Sequence, residues 1–137
     1  MFKRWITDRF MREPIFVALL ALGLLQVKHF LCDFVFQTAQ HVQFKGIYGH
    51  PKGIEHSAIH AVATVPCLLI VGAALKITLI LAAAEFVIHY HTDWLKERIG
   101  KQAGWTPSDH PFWIALGMDQ LVHHLTYVGI VTVLLTL

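Results

Sequence analysis

A chain of 137 residues has room for one domain and no second. Its residues are 55% hydrophobic and 15% charged, with a mean hydropathy of +0.55, which excludes an ordinary soluble domain. The formal net charge is +2 and no Lys/Arg run interleaves with aromatics, which excludes nucleic acid as a partner.

A hydrocarbon core about 30 Å thick takes about 20 apolar residues per helix. Four windows approach that length: residues 14–36, 56–75, 76–95 and 111–137. Ahead of the first, residues 1–13 combine Lys3, Arg4, Arg9 and Arg12 with Phe2, Trp5, Ile6 and Phe10. They read as a short interfacial helix, ended by Pro14 at the first turn of helix one. No A-x-A-like site follows the apolar stretch 16–27, so helix one is expected to be an uncleaved anchor.

Residues 38–55 read as a loop broken by Gly46, Gly49, Pro51 and Gly53. It is long against the usual bundle connection of about 2–8 residues, which suggests a lid or a re-entrant segment. Helix two contains Pro66 and is expected to kink there. The turn near 72–76 is tight, so helices two and three are antiparallel neighbours. Residues 96–110 hold Gly100, Gly104 and Pro107 and form a second polar connection, and Thr106-Pro107-Ser108-Asp109 before Pro111 is helix-start chemistry.

The expected fold is therefore all-α. It is a single integral-membrane domain over residues 1–137: a four-helix transmembrane bundle, up-down-up-down, with an N-terminal interfacial helix. Lys and Arg divide evenly between the two faces, so the positive-inside rule does not orient the bundle. The concentrated basic cluster at residues 3–12 leans toward termini in the cytoplasm, with Trp94, Trp105 and Trp113 as an aromatic belt on the far side. Cys32 and Cys67 lack CxxC spacing and read as small apolar packing residues.

Each apolar helix carries ionisable residues four apart: His29/Asp33, His56/His60, Glu85/His89 continued by Asp93, and Asp119/His123. Four residues advance an α-helix by about 400° and about 6 Å, so the members of each pair point the same way. An Asp at mid-membrane costs roughly 2.5–3.5 kcal/mol. Several left unpaired would rival the roughly 5–15 kcal/mol that holds a small domain together. They must satisfy one another, and a bound metal is the simplest common partner.

Helix rise gives the depths. From the far face, at about 1.5 Å per residue, Asp33 and Asp93 fall about 3–5 Å deep and His56 near the surface. His29, His60, His89 and Asp119 fall at about 6–12 Å, and Glu85 and His123 at about 15–18 Å. All pairs thus occupy one half of the bilayer.

Imidazole with carboxylate suits Zn²⁺ first, then Fe or Mn²⁺, whereas Mg²⁺ or Ca²⁺ would want more oxygen. The expected metal residues are His29, Asp33, His56, His60, His89, Asp93, Asp119 and His123, with His29, His60, His89 and Asp119 innermost around the ion. This is more than one tetrahedral ion needs, so the set implies two ions, or one with supporting groups. Glu85 is the expected catalytic base, with a ligand role as the alternative. A single such pair would read as hydrogen-bonded glue between helices.

His91 should face away from His89, while His41, His50 and His110 lie in loops and His124 is off-face. Gln37 extends the first pair, as ligand contact or helix cap. Lys28 reads as snorkelling to the interface. Lys96 pairs with Asp93, and Lys45, Lys52 and Lys96 would meet a phosphate at the rim.

The ordered set HFLCDFVFQ (29–37), HSAIH (56–60), EFVIHYHTDWLK (85–96) and DQLVHH (119–124) resembles a family of small bacterial and phage integral membrane proteins, named only as a domain of unknown function. The resemblance covers nearly the whole chain. It implies a four-helix membrane fold in a bacterial inner membrane and brings no reaction. Similar pairs occur in intramembrane zinc hydrolases of the ceramidase type and in cation-diffusion metal transporters. Neither complete motif is present, so these are analogies of chemistry alone.

The leading expectation is a membrane-embedded metal-dependent hydrolase acting on a lipid-like ester, amide or phosphoester through metal-activated water. The surplus of ligands favours it over a divalent-metal transporter, which needs a leaner, releasing site. Four helices are also few for alternating access without a homo-oligomer. A non-enzymatic membrane protein with a pH-sensitive histidine network is the third reading.

Overall fold

A computed structural model describes residues 13–137. The expected interfacial helix lies, but for its last residue, outside them. The described residues are helical: α1 Pro14–Phe30, continued by a π-helical turn Leu31–Val35, then α2 Ala39–Phe44, α3 Pro51–Ile70, α4 Leu75–Ala103 and α5 His110–Thr136. Pro14–Val35, Pro51–Ile70 and His110–Thr136 are each long and apolar enough to cross a membrane. These three helices mark a membrane protein.

Burial is inverted relative to a soluble domain. Among the described residues twelve apolar residues are buried against fifteen polar or charged ones, while Leu19, Val27, Phe34, Val62, Ile80, Val87, Leu121 and Leu125 face outward. Many leucines and valines face out while the paired imidazoles and carboxylates face in, the arrangement a hydrocarbon solvent selects.

Around the interior α1 packs on α3 and α5, and α4 packs on α3 and α5. One end is apolar: Ala21 and Leu25 of α1 meet Cys67, Leu68 and Val71, Leu81 of α4, and Tyr127, Ile130 and Val131 of α5. That is the C-terminal end of α3 against the N-terminal end of α4, so the long helices alternate in direction. The turn between them, residues 71–74, uses Gly72 at φ 86°. Every ionisable pair lies toward the other end.

Two helix boundaries differ from expectation for local reasons. α3 begins at Pro51, not at residue 56, because Pro51 suits the first helical position and the His50 side chain accepts from Lys52 N at 3.2 Å. α3 then runs on through Pro66. α4 passes residue 95 and ends only at Gly104, whose φ of 68° lets Trp105 N donate to Gly100 O at 2.9 Å.

The expected loop 38–55 contains α2, which starts where Thr38 Oγ1 accepts from His41 N at 3.3 Å and His41 Nδ1 accepts from Thr38 N at 3.2 Å. Burial holds the His41 imidazole below its ordinary value, and His56, 5.5 Å away ring to ring, adds to this.

This segment is strapped across the polar end. Lys101 Nζ donates to Val42 O at 3.0 Å and Gln43 O at 2.7 Å, and Gly49 N donates to the Tyr90 hydroxyl at 2.6 Å. Gly46 passes so close to α4 that a Cβ there would sit 3.0 Å from Cβ of Glu97.

Leu68 is fully enclosed at the apolar end. Leu68→Ala is expected to cost about 2–3 kcal/mol in detergent unfolding, and the outward Leu121→Ala much less than 1 kcal/mol. Equal effects would mean that the apolar end is not the packing core.

Candidate metal centre

The π-helical turn sets the centre's geometry. Phe36 N donates to Leu31 O at 2.8 Å, one residue beyond α-helical reach, which widens the turn holding Asp33. Asp33 Oδ1 then lies 3.0 Å from His60 Nε2 and 3.1 Å from His56 Nε2. His56 Nε2 is also 3.2 Å from Asp93 Oδ2, which is 3.5 Å from His89 Nε2. Asp93 Oδ1 is 3.3 Å from His123 Nε2.

Two groups have ligand atoms within 4.8 Å of one another: Asp33, His56, His60 and His89, and then His89, Asp93 and His123. His89 belongs to both. Its ring lies between that of His60, tilted by 31° at 3.8 Å, and that of His123, stacked at 4.1 Å, centroid to centroid. All six residues are buried.

Both ring nitrogens of His56 and both of His89 are buried without a hydrogen bond. Two of these atoms, His56 Nε2 and His89 Nε2, lie 3.1–3.5 Å from carboxylate oxygens without hydrogen-bond alignment. An orphaned buried imidazole normally costs about 1–3 kcal/mol. Three imidazoles and a carboxylate are the donor set of a zinc-type site, so the residues fit a divalent ion.

The other three expected residues flank these groups. His29 Nε2 is 3.2 Å from Asp33 Oδ2, yet the ring is held by Gln120 Oε1 at 2.9 Å and the Tyr127 hydroxyl at 3.0 Å. Asp119 Oδ1 is 3.4 Å from His123 Nε2 and makes no hydrogen bond. Glu85 is ion-paired with Lys28 and accepts from Thr64 Oγ1, in very short contacts. The innermost set expected from depth, His29, His60, His89 and Asp119, is therefore not the one brought together. Depth carries no azimuth, and the widened turn swings Asp33 inward.

Lys28 does not snorkel. Its Nζ lies inside, 3.2 Å from the Tyr127 hydroxyl and 3.5 Å from His60 Nδ1 as well as against Glu85. Lys45 is buried too, 3.1 Å from Asp93 Oδ2 and 2.8 Å from Gln37 Oε1. Lys96 stands by Glu97 at 2.8 Å and Asp119 at 3.9 Å, rather than by Asp93. His91 faces out, bonded to Val87 O at 2.7 Å. Thr64 and Tyr127 went unread, although both continue the four-residue step, as His56-His60-Thr64 and Asp119-His123-Tyr127.

Residues 19–137 match the family model described as Protein of unknown function (DUF3307), and the chain belongs to that family. No curated protein and no solved structure matches the chain.

The Lys28–Glu85 pair gives a direct test. Lys28→Met leaves the buried Glu85 carboxylate without its cation and is expected to destabilise the protein by about 3–5 kcal/mol in detergent unfolding. The double variant Lys28→Met/Glu85→Leu should recover most of that loss. A single variant as stable as the parent would show that the two charges do not depend on each other.

Proposed function

We propose that this DUF3307 member is a membrane-embedded, metal-dependent hydrolase whose centre takes one or two divalent ions, Zn²⁺ first and Fe or Mn²⁺ otherwise. The observation that carries the reading is the set of buried nitrogens on His56 and His89 that take no aligned hydrogen bond among the described residues. In a network of histidines held by hydrogen bonds alone, those nitrogens would be satisfied first. An ion would satisfy them together, and the two carboxylates beside them would balance its charge.

We also read α4 as a fourth span, completing a four-helix transmembrane bundle in a bacterial inner membrane with cytoplasmic termini. It packs between α3 and α5 and turns Leu79, Ile80, Val87 and Ile88 outward.

A bound ion would supply the Lewis acidity that activates water and polarises the scissile carbonyl or phosphoryl group. Asp119 is the carboxylate best placed to move the proton, because its Oδ1 takes no hydrogen bond among the described residues and faces only His123, whereas Glu85 is held by Lys28 and Thr64. It takes one proton from the attacking water and returns it to the leaving oxygen or nitrogen. The water oxygen stays on the acyl or phosphoryl centre as the scissile bond breaks. Glu85 and Tyr127 hold Lys28 against His60, and so act as positioning groups. A divalent-metal transporter is the second reading, favoured by the sharing of His89, which offers one ion two adjacent positions.

Metal analysis of gently purified protein should return one or two ions per chain, and His89→Ala should weaken binding at least about tenfold. Asp119→Asn should keep the metal while turnover of a lipid-like ester falls by about 10²-fold or more. Loss of metal in that variant would make Asp119 a ligand. No metal in the parent would favour the histidine network, and metal flux into proteoliposomes without ester turnover would favour transport.

A further inference from the structure

The lysine that pairs with Asp93 comes from outside the four long helices. Lys45 reaches in from the end of α2 and sets its Nζ 3.1 Å from Asp93 Oδ2. That same oxygen lies 3.2 Å from His56 Nε2 and 3.5 Å from His89 Nε2. The ammonium therefore stands on the carboxylate that the His89, Asp93 and His123 group would offer to an ion.

Charge balance makes the two cations rivals. Lys28 cancels Glu85, and Lys96 and Lys101 cancel Glu97 and Asp119. Asp33 and Asp93 against Lys45 then leave the centre with one negative charge when its imidazoles are neutral, as ligation requires. A divalent ion bound with Lys45 still in place would turn this into one enclosed positive charge. With the lysine withdrawn, the balance is zero, and an uncompensated buried charge is strongly destabilising.

The lysine has somewhere to go. Beside it is a polar recess of about 290 Å³, lined by Lys45 itself with Gln37, Val42, Glu97 and Lys101 among others. Val42 and Lys101 are exposed, so the recess communicates with the polar face. Gln37 Oε1, 2.8 Å from Lys45 Nζ, can keep hold of the ammonium as it turns. The backbone around Lys45 is pinned instead. Lys101 Nζ donates to Val42 O and Gln43 O, and a Cβ on Gly53 would come 3.3 Å from Lys45 Cα. The strap is fixed, and the flexible four-carbon stem of Lys45 is the part that moves.

We infer that Lys45 is a tethered cation that holds Asp93 until a divalent ion takes its place, and that it then swings into the recess, through which the ion arrives. The inference rests on the metal-centre reading above and adds the regulation of that centre. Among the described residues Asp33 pairs with no lysine, so the two ligand groups load unequally. The Asp93 group fills only when the ion outcompetes the built-in ammonium.

The test uses full-length protein in nanodiscs, with Zn²⁺ as the probe. In the wild type, acetylation of Lys45 by a water-soluble amine reagent, mapped by mass spectrometry, should rise several-fold on adding Zn²⁺. The exposed Lys76, at the apolar end, should stay constant. Lys45→Met should bind Zn²⁺ at least about tenfold more tightly, because the competing charge is gone. It should also be less stable than wild type without metal and gain more in unfolding temperature from Zn²⁺. If that variant folds poorly, the labelling of the wild type decides alone.

Lys45 labelling that ignores Zn²⁺, or a Lys45→Met variant that binds Zn²⁺ no more tightly than wild type, would overturn the inference and leave the metal centre standing. Zn²⁺ taken up by the variant alone would support it. No Zn²⁺ in either protein would overturn the inference and the metal-centre reading together.

Discussion

The structure depends on one constraint: charge enclosed among apolar helices has to be answered from within the chain. Water is not available to solvate it, so each carboxylate must find a cation or a donor inside the bundle. The arrangement of partners follows from that demand. Glu85 takes Lys28, Asp93 takes Lys45, and Asp33 gathers His56 and His60. The apolar end supplies packing, and the polar end fixes which helix faces which, because a rotated helix would carry an ionised group toward hydrocarbon.

The same constraint explains what remains open at the centre. Pairing is complete around Glu85, where Lys28 and Thr64 supply donors. It is incomplete at His56 and His89, whose nitrogens lie among carboxylates without hydrogen bonds. On the proposed reading a further partner completes these atoms, and the imidazole–carboxylate mixture suits a borderline divalent cation there.

Much of this was legible in the residues. Four-residue spacing gave the inward faces, and rise per residue put all nine ionisable residues at one end. What spacing could not give was rotation between helices, so His29 and Asp119 were placed at the middle when they flank it. Lys28 was misread because a lysine near a presumed interface ordinarily snorkels, and only the position of Glu85 on another helix explains its burial. Pro51 and Gly53 read as loop breakers and Gly100 as part of a connection, although the same residue types also serve a helix start and a long helix interior. The family, whose description assigns no activity, leaves the chemistry to be argued from side chains.

The wide turn at Leu31–Val35 carries a consequence for how this protein tolerates change. Removing one residue from it would restore an ordinary helix and rotate everything downstream by about 100°. Asp33 would then aim elsewhere even with every donor in the bundle untouched. Gln37, which hydrogen-bonds Lys45, would turn with it and draw that lysine away from Asp93. Spacing between residues 30 and 36 is therefore held more tightly than the identity of the outward phenylalanines along it, and a deletion there would do more harm than most substitutions.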